Sequence, residues 1–168
     1  MSISMHRASA PILLNALQGL SIVLTKAEAF ARENNLAESD LLEARLAPDM
    51  YTACRQVQIA TDNAKGMISR LAGREVPSWA DTESTFTELL ARVQKAIDLV
   101  AAVPANEIDG SELREIELKQ RSGSRFFTGE RYLIDYAIPN FMFHATTAYA
   151  IFRMKGVQIG KKDYLGQA

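Results

Sequence analysis

His144 is the residue of this chain best suited to proton transfer, because imidazole alone titrates near neutrality without perturbation. Asn140 and Thr147 stand four residues before it and three after it, on one stripe of a helix. All three lie in residues 138–152, a run without Asp, Glu, Lys or Arg. A helix apolar on most sides is normally buried, and buried polar groups must find partners. The run therefore predicts an interior polar site.

Gln56, Gln58 and Asn63 flank an apolar heptad seam on an earlier helix and can face that site. The expected site is thus a catalytic His144 with Asn140, Thr147, Gln56, Gln58 and Asn63 as ligand-binding groups. Asp62 is the one carboxylate nominated to sit beside the imidazole. Its competing role, weighted more heavily, is a pair with Lys65 three residues on. Thr147 has a competing role too, a bond back to its own helix.

A tight transition-metal site needs about three good ligands, preferably His, Asp or Glu. This chain has two histidines, His6 and His144, and positions four before and four after His144 hold Asn140 and Ala148. No metal and no cofactor are expected. Cys54, the only cysteine, reads as a small core residue rather than a nucleophile. Arg114, Lys119, Arg121, Arg125 and Arg131 form a basic cluster that reads as a solvated loop before an anion site. Tyr132, Tyr136 and Tyr149 read as packing residues with hydroxyls at a pocket mouth. Trp79 is expected to cap one end of the core.

Four segments of helical periodicity must position these groups. The first covers residues 4–33, and Pro11 either kinks it or begins its regular part. A short turn is expected around residues 39–43. The second helix covers 49–71, with Met50, Ala53, Val57, Ala60, Ala64, Met67 and Leu71 as its seam, Asp49 as N-cap and Gly73 as its stop. The third covers 82–103; Thr85 and Glu88 have capping-box spacing, although Asp81 offers an earlier start. Residues 115–119 and 126–128 read as a hairpin around a turn at 121–125. The last helix covers 129–155, kinked or restarted at Pro139 and closed by Gly156. The tail from 157 to 168 is expected to be ordered only in part. Short connections predict an antiparallel, all-α four-helix bundle with a hairpin-like connector before the last helix.

The chain has 168 residues, enough for one domain spanning 1–168 with its own core. A formal charge of −1 gives no basic footprint for nucleic acid. Asn15 and Gln18 interrupt the N-terminal apolar stretch, so no cleaved or membrane-spanning segment is expected. One cysteine excludes an intramolecular disulfide and fits a reducing, cytoplasmic setting.

The run Pro139-Asn-Phe-Met-Phe-His-Ala-Thr-Thr-Ala-Tyr-Ala-Ile-Phe-Arg-Met-Lys-Gly-Val resembles an uncharacterised, domain-of-unknown-function branch of the DinB/YfiT-like superfamily. Arg55-Gln-Val-Gln-Ile-Ala-Thr-Asp-Asn-Ala-Lys-Gly and Phe127-Thr-Gly-Glu carry the same resemblance, which spans nearly the whole chain. It implies a four-helix bundle, commonly a homodimer. Many members of the wider superfamily bind a divalent metal through three histidines, one on the second helix and two in an H-x-x-x-H on the last. Some transfer low-molecular-weight thiols, isomerise small acids or hydrolyse small substrates. Aligned through Lys155-Gly156, His144 takes the second position of that motif and Asn140 the first. The second-helix position falls within residues 56–59, where no histidine stands.

The resulting expectation is a cytoplasmic, homodimeric bundle protein with a polar pocket for a small molecule, lacking the metal triad. The alternative is a transferase, isomerase or hydrolase using His144 as metal ligand or general base. A third reading makes the apolar last helix a surface for a protein partner.

Overall fold

Pro11 marks where the first long helix begins. It lacks the N–H that a first-turn residue has no use for, and its fixed φ suits that position. In the computed structural model, which describes residues 3–120 and 123–167, α1 accordingly spans Ala10–Glu33, preceded by turns rather than by helix from residue 4. α2 (Glu38–Leu42) is the expected short turn. α3 spans Ala53–Leu71, and its N-cap is Thr52, whose hydroxyl accepts from the Arg55 N–H at 3.2 Å. Asp49 is therefore not the cap, and Met50 lies outside the helix.

α4 (Phe86–Ala101) starts at the Thr85–Glu88 capping box, not at Asp81. α5 (Ala105–Ile108) leads to the hairpin of β1 (Glu115–Gln120) and β2 (Gly123–Thr128), antiparallel with Glu115 opposite Thr128. Ser124 and Arg125, read from sequence as turn, are paired strand residues opposite Lys119 and Leu118. Arg121 and Ser122 of that turn lie outside the described residues.

α6 (Gly129–Arg131) passes through a π-helical turn, Tyr132–Ala137, into α7 (Ile138–Met154). Proline inside a helix clashes with the carbonyl four residues back and donates nothing to it. A widened turn immediately before Pro139 accommodates this, so the helix restarts there. Gly156, at φ +95°, ends it.

α1, α3, α4 and α7 are the four long helices, and their order is set by named contacts. Asn140 meets Asn63 while His144 meets Gln56, so α7 runs antiparallel to α3. Thr87 near the start of α4 meets Glu28 near the end of α1, making the second antiparallel pair. α3 and α4 run parallel instead: Cys54 meets Glu83 at one end, and Thr61 meets Arg92 further along. The connection between them is consequently not short. Residues 72–85 return the length of α3, whose 19 residues span roughly 28 Å at 1.5 Å per residue.

The core is built from Leu13, Leu17, Leu24, Met67, Leu71, Phe86, Leu89, Phe141 and Phe152, all fully buried. Each such side chain stabilises the fold by roughly 1.5–3 kcal/mol relative to exposure. By length and composition α1 could cross a membrane. Its Leu13, Leu17, Val23 and Leu24 are instead buried against the other helices. In the described part of the tail, residues 157–167, α8 (Lys161–Tyr164) docks on α1. Lys26 Nζ pairs with the buried Asp163 at 2.5 Å, and Asn15 donates to the Leu165 carbonyl at 3.1 Å.

Candidate functional site

Two amide-based contacts join α3 to α7. Asn140 Nδ2 donates to Asn63 Oδ1 at 2.6 Å, and His144 Nδ1 lies 2.6 Å from Gln56 Oε1. One helical turn separates Asn140 from His144, and two separate Gln56 from Asn63, so the contacts form a seam along the helix interface. Gln56 is 1% exposed, whereas His144, Asn140 and Asn63 are half-buried.

Gln56 Nε2 donates to the Tyr51 carbonyl at 3.3 Å. That bond orients the amide, leaving its oxygen to accept from the imidazole. His144 must then carry its proton on Nδ1 and its lone pair on Nε2. Among the described residues Nε2 has no hydrogen-bond partner, and it is not one of the buried unpartnered atoms, so solvent reaches it. Burial, with Arg55 nearby, holds the imidazole below its ordinary pKa of 6.5. The ring is therefore neutral at pH 7, a hydrogen-bond acceptor and proton acceptor at Nε2.

Thr147 lies on α7 with these residues, but its hydroxyl donates back to the Phe143 carbonyl at 2.7 Å. It lines a groove of about 420 Å³ with Leu46, Met142, Phe143, Thr146 and Ala150, apart from the amide seam. Gln58 is not part of the seam. Two residues beyond Gln56, it is turned roughly 200° around α3. There its Oε1 accepts from Arg55 at 3.1 Å and its Nε2 donates to Glu83 at 3.0 Å.

Asp62 also faces away from the imidazole. It pairs with Lys65 at 2.8 Å and with Arg92 at 2.9 Å. Cys54 is buried, donates to the Glu83 carbonyl and has its thiol pushed up to about 11 by burial, then by Glu43 and Glu83, so it is unreactive at neutral pH. Arg121 of the basic cluster lies outside the described residues, and among the others Arg114 caps α3 through the Leu71 carbonyl while Arg131 pairs with Asp135 at 2.9 Å. Tyr132 and Tyr136 stack with each other, and Tyr149 packs edge-on to Tyr164.

Sequence reasoning missed Arg92, which is 4% exposed and binds Asp62, Asp81, Glu83, Thr61 and the Ala80 carbonyl. Its signal was present: position 92 falls on the inward stripe of Leu89, Val93 and Ala96, where a charge demands partners. Trp79 does not cap an end of the core. It lies along the side of the bundle, with Lys65 of α3 and Lys95 of α4 each 4.6 Å from its ring centre. The reason is the lengthwise course of residues 72–85.

The donor set around His144 does not fit the three-histidine metal site that the resemblance implies. The groups nearest His144 along the seam are the amides of Gln56 and Asn140 rather than imidazoles, and Gln56 Oε1 is already committed to His144. Among the described residues no three His, Cys, Asp or Glu side chains come together as a cation site.

Residues 5–165 match the family described as a domain of unknown function, DUF1993. The crystal structure of a DinB family member protein from Shewanella denitrificans superposes with a TM-score of 0.86 at 36% identity, covering 95% of this chain and 90% of that one. No curated protein shows significant similarity to the chain. With its match extending over nearly all of its length, the chain belongs to the DUF1993 family and has the DinB-like bundle fold.

Proposed function

We propose that this DinB-like protein binds a small polar molecule at the α3–α7 seam, through the Nε2 lone pair of His144 and the amides of Asn140 and Asn63, without a tightly held metal. The carrying observation is the Tyr51–Gln56–His144 relay, which orients a neutral imidazole and leaves Nε2 open. Fragment titrations followed by the ¹⁵N resonances of His144 and the two asparagine side chains test this. Saturable shifts at all three are expected, those of the two asparagines being abolished in His144→Gln. A library leaving them unmoved, or stoichiometric zinc or nickel surviving dialysis, overturns the reading.

The same Nε2 favours a second reading, a transferase, isomerase or hydrolase with His144 as general base. His144→Ala would then abolish turnover while leaving the melting temperature nearly unchanged.

We further propose a cytoplasmic homodimer joined through the outer face of α7. Phe143 is 55% exposed there, and neighbouring Leu46 is 45% exposed beside an uncharged groove. Light scattering across a dilution series should give twice the chain mass, and Phe143→Glu should halve it. A wild-type monomer at every concentration ends this proposal.

A further inference from the structure

A cleft of about 400 Å³ opens between residues 78–83 and α4, with Trp79 as one wall and Ala91, Arg92 and Lys95 along the helix. Its volume lies in the range of small-molecule sites. Almost every charge in it is committed. Arg92 is held by Asp62, Asp81 and Glu83. Both Glu83 oxygens are used by Arg92, and one also accepts from Gln58. Glu88 serves the N-terminal box of α4, accepting from Ser84 and Thr85.

Lys95 is the exception. It has no carboxylate within ion-pair distance among the described residues, and its ammonium rests against the Trp79 ring. The cleft thus offers a positive charge without a carboxylate partner, the Trp79 ring that this ammonium contacts, the methyl groups of Ala80 and Ala91, and the hydroxyls of Ser78 and Thr82. The lining balances Glu83 and Glu88 against Arg92 and Lys95, and a neutral occupant would leave the Lys95 ammonium without a carboxylate.

We propose that this cleft binds a small aromatic carboxylate, its ring packed against Trp79 and its carboxylate paired with Lys95. Aromatic pairs gain from quadrupole geometry beyond area alone, and a charge-assisted hydrogen bond to an ammonium is stronger than a neutral one. The site is independent of the His144 seam, because Gln58, not Gln56, borders it across α3.

Trp79 is the only tryptophan, so its indole N–H gives a single reporter resonance in a ¹⁵N spectrum. Benzoate is expected to shift it saturably with a Kd of about 1 mM or below, the range for a ligand of this size. Benzyl alcohol, with the ring but no charge, and acetate, with the charge but no ring, should each bind at least about tenfold more weakly, a step of about 1.4 kcal/mol. Lys95→Gln should weaken benzoate by a similar factor with unchanged far-UV circular dichroism, and His144→Gln should leave it unaltered. A benzoate shift that stays linear to the solubility limit overturns the proposal. An unchanged Kd in Lys95→Gln, or acetate binding as tightly as benzoate, does so equally.

Discussion

Gln56 Oε1 accepts from His144 Nδ1 at 2.6 Å, and the other end of the same amide is held by the Tyr51 carbonyl. The pair makes a pH-dependent element of stability. His144 is held below 6.5 by burial and by Arg55, so between its folded pKa and 6.5 the unfolded chain binds more proton than the folded chain. Stability is greatest above pH 6.5 and falls as pH drops towards the folded pKa. Urea titrations at pH 7.5, 6.5 and 5.5 should show this decline, and His144→Gln should flatten it. Gln56→Glu should reverse it: a carboxylate beside the ring favours imidazolium, raising the histidine pKa above 6.5 in an NMR titration.

Arg92→Met should be among the most damaging single changes. Among the described residues it removes the one cation paired with Glu83 and leaves Asp62 and Asp81 with Lys65 and Arg55 alone, and the lost guanidinium is itself 4% exposed. Breaking a buried ion pair costs about 3–5 kcal/mol, and exposure of the carboxylates places this case at about 2–4. Chemical denaturation measures it. A loss under about 1 kcal/mol would show that residues 72–85 are held mainly by other contacts.

Ser111 is 1% exposed and its hydroxyl is the buried side-chain polar atom without a partner among the described residues. Its burial is uncompensated, so Ser111→Ala should be neutral or stabilising by up to about 1 kcal/mol. A clear drop in melting temperature would reveal a hydrogen bond to ordered water.

Gly19→Ala sets two effects against each other. Alanine favours a helix interior by about 1 kcal/mol. Its Cβ at this position, however, would overlap the Tyr164 carbonyl oxygen, which is backbone and cannot swing aside. The clash should win, costing about 1–3 kcal/mol and releasing α8. Faster proteolysis between residues 157 and 167, with the bundle intact, is the expected result.

Local chemistry made much of this legible from residue order alone. The Thr85–Glu88 box starts α4, and Gly156 ends α7, because caps depend on neighbours within one turn. The seam of Val57, Ala60, Ala64, Met67 and Leu71 is buried as its heptad spacing requires. The inward placement of Asn140 and Gln56 was legible too. Asp49 failed as a cap because Thr52 offers its hydroxyl closer to the apolar repeat.

Which group each polar side chain would meet was decided elsewhere. Periodicity tells a residue which side of its own helix it occupies, and nothing about the helix opposite. Gln56 and Gln58 flank the Val57 seam on opposite sides, and periodicity does not say which flank meets the last helix. The parallel course of α3 and α4, imposed by residues 72–85, gives Gln58 to Glu83 and leaves Gln56 for His144. The chain order thus determined the helices and their buried faces through contacts a few residues apart. The tautomer of His144, the Arg92 hub and the wall made by Trp79 came only from packing, because their partners are distant in sequence.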